Sequence, residues 1–222
     1  MPQPILRTHK KPSMKNVVLF GGSFNPPHIG HFEMAKHITQ TLDIHEVWFL
    51  FSHNIDKDPS IYAPLEHRIA MSNILNQDYS DYPFVMSDAE YKTETHLTAD
   101  VLPKIEIAHP DHKFIWAMGA DNLEHFHLWE GYERIIENYP MILFNRSSYQ
   151  DDQCPAFENY ESYMCRDPKR LLTQKTGVHF LDNPYIDVSS TEIRRNIKSN
   201  TSGLIIDHDD LSAYIKEHHL YK

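Results

Sequence analysis

Phe20-Gly21-Gly22-Ser23-Phe24-Asn25-Pro26-Pro27-His28-Ile29-Gly30-His31 follows Val17-Val18-Leu19 and precedes Phe32, Ala35, His37, Ile38 and Leu42. The β-branched and aromatic run before it has the character of a buried strand, and the apolar spacing after it predicts a helix. Strand, glycine turn and helix in that order make a phosphate site. Gly21 and Gly22 permit a tight turn and close backbone approach, and the first amides of a helix, which have no partner within it, face an anion. His28 and His31, three residues apart, share one face of the first helical turn. Their imidazoles supply N–H donors, and a phosphate neighbour favours the cationic form. Nucleotidyl transfer needs oriented donors of this kind, because charge builds on phosphate oxygens during in-line displacement.

A second segment, Val188-Ser189-Ser190-Thr191-Glu192-Ile193-Arg194, has the same logic. Ser189 with Glu192 three residues later is a capping box, so a helix starts there and runs through Ile193 and Ile197. Ser190, Thr191 and the first amides form another anion site, and Arg194, one turn in, adds a forked guanidinium. Taken alone, the segment could equally cap a surface helix. Paired with the first, it suggests two helix starts gripping a triphosphate at the carboxyl ends of parallel strands.

These segments resemble the (H/T)xGH and (I/V)SSTxIR signatures of the nucleotidyltransferase superfamily. Between them, Gly119-Ala120-Asp121-Asn122 and Trp129 are similar to the GADN segment and downstream tryptophan of bacterial nicotinate-nucleotide adenylyltransferases. The three motifs span the chain from about Val17 to Arg195. The resemblance implies a Rossmann-like nucleotidyltransferase fold, in which a parallel sheet flanked by helices carries a small C-terminal helical cap.

Composition agrees with one α/β domain. The 222 residues are 41% hydrophobic and 12% aromatic, enough for one good core. A net charge of −10 argues against nucleic acid or an anionic membrane as partner, since phosphate backbones are held by accumulated Lys and Arg. Cys154 and Cys165 are too few for a disulfide scaffold and read as free thiols in a reducing cytoplasm. No stretch approaches a membrane span. Residues 1–13, with Arg7, Lys10 and Lys11, read as a disordered extension before a single domain over 14–222.

Six apolar runs predict strands: Val17 to Phe20, Val47 to Phe51, Pro83 to Met86, Phe114 to Met118, Met141 to Phe144 and Val178 to Leu181. Helical patterns fall between and after them: Pro64 to Asn76, a segment after Thr98 that Pro103 should kink or shorten, Glu124 to Glu137, Ser189 to Lys198 and Asp209 to His218. The alternation gives a right-handed parallel sheet. Residues 147–175 read as a polar surface excursion.

The resemblance implies an adenylyltransferase that joins ATP to nicotinate mononucleotide, forming the deamido dinucleotide and pyrophosphate. His28, His31 and Arg194 are the implied catalytic residues. Gly21, Gly22, Ser23, Phe24, Gly119, Asp121, Ser189, Ser190 and Thr191 join them in holding ATP. Asp121 is placed at the ribose, although it could simply cap the following helix. Lys57, Thr98 and Trp129 are implied on the acceptor side. Lys57 reads equally as a solvated loop lysine, Thr98 suits a helix N-cap, and a core position is the plain physical reading of Trp129. Leu97 stands where the family usually has tyrosine. Mg²⁺ arrives with ATP, held by phosphate oxygens and water, so no protein metal site is expected. Nicotinamide mononucleotide or phosphopantetheine is the alternative acceptor, and a binding-only regulator the alternative class. A monomer and a homo-oligomer are both compatible with the sequence.

Overall fold

The computed structural model describes residues 14–53, 58, 61–119, 122–145, 160–182, 188–199 and 208–222. Six strands form one parallel sheet: β1 (Lys15–Gly22), β2 (Glu46–Phe51), β3 (Phe84–Ser87), β4 (His112–Gly119), β5 (Pro140–Asn145) and β6 (Gly177–Asp182), in the order β3-β2-β1-β4-β5-β6. All six expected strands are present. The order reverses between β1 and β4, and such a switch point opens a crevice at the carboxyl ends of the strands.

Each central strand is apolar on both faces because helices cover both. Val18 and Phe20 of β1 enter one core with Phe32, Ala35 and Ile38 of α1 (Ile29–Thr41) and Met71 and Leu75 of α2 (Leu65–Asn76). The C-terminal helices α7 (Ser190–Lys198) and α8 (Asp209–Glu217) close this face through Ile193, Leu211 and Ile215. Val17 and Leu19 enter the opposite core with α4 (Thr98–Ala108), α5 (Leu123–Phe126) and α6 (Tyr132–Ile136), while the short α3 (Ala89–Lys92) follows β3.

Three expectations need correction. The helix expected over Glu124 to Glu137 is two short helices, because Gly131 between them takes a left-handed φ of +74°. There a Cβ would also meet Ala99 at 2.8 Å, so glycine is required twice over. Pro103 lies inside α4, which continues for 11 residues, held by the buried side chains Ala99, Val101, Leu102 and Ile105. The excursion after β5 is partly core. Tyr160, Cys165 and Leu171 are buried, and the Cys165 amide donates to the Val178 carbonyl of β6 at 2.7 Å. Cys165 is a free thiol. The expected extension 1–13, and Cys154, lie outside the described residues. Among the described residues no helix is long and apolar enough to cross a membrane.

Candidate active site

Gly21 and Gly22 end β1 as extended strand rather than forming the expected turn, and neither has a positive φ. Their missing side chains serve packing instead. A Cβ on Gly21 would lie 2.0 Å from the Trp116 indole, and one on Gly22 would lie 2.8 Å from the Phe24 ring. The chain turns at Phe24, whose φ of +45° is disfavoured for any residue with a Cβ. Its ring is buried, edge-on to His31 at 5.0 Å and packed on Phe49 and Phe51, and this burial offsets the backbone strain.

His28 is the N-cap of α1 and His31 lies in its first turn, which carries no acidic side chain. The rings stack with centroids 3.7 Å apart. The His28 amide donates to Nδ1 of His31 at 3.2 Å, so neutral His31 carries its proton on Nε2. Gly30 makes room for the pair: a Cβ there would meet Nδ1 of His28 at 2.9 Å. That Nδ1 is buried with no hydrogen-bond partner among the described residues. Burial lowers the His28 pKa to about 4. His31 also falls well below the ordinary histidine value, first through burial and then through the neighbouring His28. Burial by the protein itself therefore favours the neutral form of both imidazoles, and each keeps one N–H donor in that form.

The late motif docks directly on the loop entering α1. Ser190 Oγ donates to the Pro26 carbonyl at 2.8 Å, and Arg194 Nη1 donates to the Asn25 carbonyl at 2.6 Å. Arg194 Nη2 also reaches Thr191 Oγ1 at 3.2 Å. Only half of the capping box forms. Ser189 Oγ accepts from the Glu192 amide at 3.1 Å, while the Glu192 carboxylate pairs with Arg195 instead. The two motifs, more than 160 residues apart in sequence, are thus in direct contact at the carboxyl edge of β1.

Gly119 ends β4 at that same edge. Thr98 and Trp129 come from the opposite face. Thr98 is the first residue of α4 rather than its cap: extended Leu97 is the N-cap, and its carbonyl accepts from Asp100 and Val101. The Trp129 segment is fixed to that helix through Gly131 against Ala99 and the Arg134–Asp100 ion pair at 2.9 Å. Trp129 is half-buried, with its ring edge-on to Phe126 at 5.5 Å. Lys57 and Asp121 lie outside the described residues.

The sequence reading missed two polar residues beneath the crevice. Buried Arg68 of α2 donates to the carbonyls of Ala63, Ser23 and Ser52 and, at 2.6 Å, to the Tyr91 hydroxyl. It therefore joins the loop after β1 to the end of β2, where Ser23 Oγ and Ser52 Oγ are 3.2 Å apart. Its signal in the sequence is a charged residue in register with Met71 and Leu75 on the apolar stripe of α2. Glu90 accepts from the His53 amide at 2.6 Å. Burial pushes its carboxyl up to about 7, opposed by that hydrogen bond and by the charge of Arg68. Among the described residues no three histidine, cysteine or acidic side chains converge as a metal-binding set.

The cytidylyltransferase-like family profile matches residues 19–196. Proteins named "Probable nicotinate-nucleotide adenylyltransferase" align along most of the chain. That of Agrobacterium fabrum is 34% identical, covering 82% of this chain and 99% of its own length. That of Flavobacterium johnsoniae is 29% identical, covering 92% and 97%. Among solved structures, a nicotinic acid mononucleotide adenylyltransferase of Plasmodium falciparum complexed with NaAD has the same fold. Its TM-score is 0.68 at 24% identity, covering 93% of this chain and 97% of that one.

Proposed function

The chain belongs to the cytidylyltransferase-like family, among its nicotinate-nucleotide adenylyltransferases, and on that premise we propose how its own residues carry out the transfer. The reaction joins ATP and nicotinate mononucleotide, releasing pyrophosphate. The observation that carries the assignment is the docking of Arg194 and Ser190 on the loop that leads into His28 and His31.

The 5′-phosphate of the mononucleotide attacks the α-phosphorus of ATP, and pyrophosphate departs in line. That phosphate is already anionic, so the step needs neither a general base nor a covalent intermediate. His31 presents Nε2–H, and with His28 it stabilises the charge that develops on the α-phosphate and leaving group. Neutral or protonated, each imidazole offers an N–H donor that is preorganised in a buried setting. The first amides of α7, at Ser190 and Thr191, and the remaining N–H groups of Arg194 hold the β- and γ-phosphates, while the Ser190 hydroxyl goes on donating to the Pro26 carbonyl. Gly21, Gly22, Ser23 and Phe24 form the wall beside them, and Ser189 starts α7. Gly119 and Asp121 meet the adenosine. ATP enters as its Mg²⁺ complex, which makes the metal part of the substrate. Lys57, Thr98 and Trp129 take the acceptor, with Trp129 against the pyridine ring. One cytoplasmic domain, residues 14–222, performs the reaction.

Pyrophosphate release from ATP, measured with nicotinate mononucleotide, nicotinamide mononucleotide and phosphopantetheine, tests this reading. Backbone donors near Thr98 suit the two oxygens of the nicotinate carboxylate, whereas the amide leaves one buried donor unpaired, at a cost of about 1–3 kcal/mol. The expected outcome is therefore a kcat/KM at least about tenfold higher for the acid than for the amide. Equal efficiency with both would remove the acceptor assignment, and turnover of phosphopantetheine alone would move the enzyme to another reaction.

A further inference from the structure

Asn25 is the point where four segments meet. It is 1% exposed and every polar atom of its side chain is used. Nδ2 donates to the Ile61 carbonyl at 3.0 Å, and Oδ1 accepts from the Ala63 amide at 2.9 Å. Oδ1 also accepts from the Tyr221 hydroxyl at 2.9 Å, a residue 196 positions later, beyond α8. Its main-chain carbonyl is the one that receives Arg194. The backbone bends unfavourably to bring Tyr221 here. His219 and Tyr221 have φ of +55° and +63°, and the Tyr221 ring is buried in the same core as Phe24 and Ile193. Burial raises the phenol pKa and outweighs the opposing charges of Arg68 and Arg194, so the hydroxyl keeps its proton and remains a donor.

We propose that Tyr221 is a positioning residue for adenylyl transfer, acting through Asn25 on Arg194. This rests on the reading of Arg194 as a partner of the ATP phosphates. The hydroxyl fixes the Asn25 side chain, the side chain fixes the orientation of its own peptide, and that peptide carbonyl holds the guanidinium on the loop that leads into the two histidines. A hydroxyl that merely satisfied the core would contribute to stability and leave the chemistry of the folded enzyme alone.

A double-mutant cycle separates the two roles. Tyr221→Phe keeps the ring in its seat and removes only the donor. Kinetics are measured well below each variant's thermal unfolding midpoint, so that folded fraction does not enter. Tyr221→Phe should lower kcat about fivefold, the equivalent of one neutral hydrogen bond, with acceptor KM within about twofold of wild type. Arg194→Lys should weaken ATP use on its own, since a point charge replaces a fork. In the Arg194→Lys background, Tyr221→Phe should cost less than about twofold, because the residue through which it acts has already lost its geometry. Wild-type kcat in Tyr221→Phe with only a lowered midpoint would overturn the proposal, as would full additivity in the cycle. Should Arg194→Lys alone leave ATP kinetics unchanged, the assignment of Arg194 itself fails, a result distinct from either of these.

Discussion

Gly30 lies directly against the imidazole of His28: a Cβ at that position would meet Nδ1 at 2.9 Å and Cε1 at 3.1 Å. The small residue between the two histidines is therefore a seat for the first of them. Its role is steric, since its φ is not positive. Gly30→Ala should displace the His28 ring and lower kcat by about tenfold or more, because small misplacements of catalytic groups are costly. The thermal midpoint should move little. Kinetics and thermal unfolding on one preparation check this, and an unchanged kcat would show that His28 does not need the seat.

His31→Ala should lower kcat by about 10²-fold or more, the usual loss for one preorganised donor to developing charge. The variant should stay folded, since the His31 ring makes one local hydrogen bond, to the His28 amide, and its ring contacts are confined to Phe20, Phe24 and His28. Near-normal turnover would remove His31 from the mechanism.

His28 titrates near 4 in the folded protein, below its ordinary value of 6.5. A histidine depressed in this way stabilises the fold above 6.5, and that contribution is lost as pH falls through about 4. Proton NMR of the unliganded enzyme should show the His28 ring signals unmoved between about pH 8 and pH 6. A midpoint near 6.5 would show a solvated, unperturbed ring.

Glu90 has the opposite sign. Its folded pKa of about 7 lies above the ordinary 4.5, so it favours folding while protonated. That contribution is complete below about 4.5 and disappears as pH rises through about 7. Glu90→Gln keeps an acceptor for the His53 amide without a buried charge. Relative to wild type, it should gain on the order of 2–3 kcal/mol of stability on going from about pH 5 to pH 8. Denaturant unfolding at the two pH values checks this, and a constant difference between the proteins would contradict it.

Gly21 and Trp116 should behave as one packing unit. Gly21→Ala places a methyl within 2.0 Å of the indole and should destabilise by about 3 kcal/mol or more. Trp116→Phe removes the outer ring atoms that clash, so the double variant should be more stable than Gly21→Ala alone. Additive losses would mean that the strand, not the indole, rejects the methyl.

The six strands were legible because each is a short apolar run, and the central ones are buried on both faces, a pattern that needs no tertiary context. The two helix starts, at His28 and Ser189, were legible for a related reason, since each is set by neighbours three or four residues away. What escaped was decided at long range. Gly21, read as a turn former, proved to be a steric allowance for Trp116 on β4. Arg68 looked like any helix arginine until the Ser23 and Ser52 carbonyls were brought to it. Leu97, not Thr98, caps α4, because an extended backbone entering the helix matters there more than a hydroxyl. Tyr221 gave no local sign of its bond to Asn25.

The spacing of those bonds also sets a timetable for biosynthesis. A ribosome releases β1 and α1 first, and β1 and β2 can pair as soon as both have emerged. The loop holding Asn25 and Pro26 must wait for α7 and then for Tyr221, so the partners that seat Arg194 are among the final contacts to form. A nascent chain can therefore complete its six-stranded sheet before the segments that clasp the Asn25–Pro26 loop have emerged.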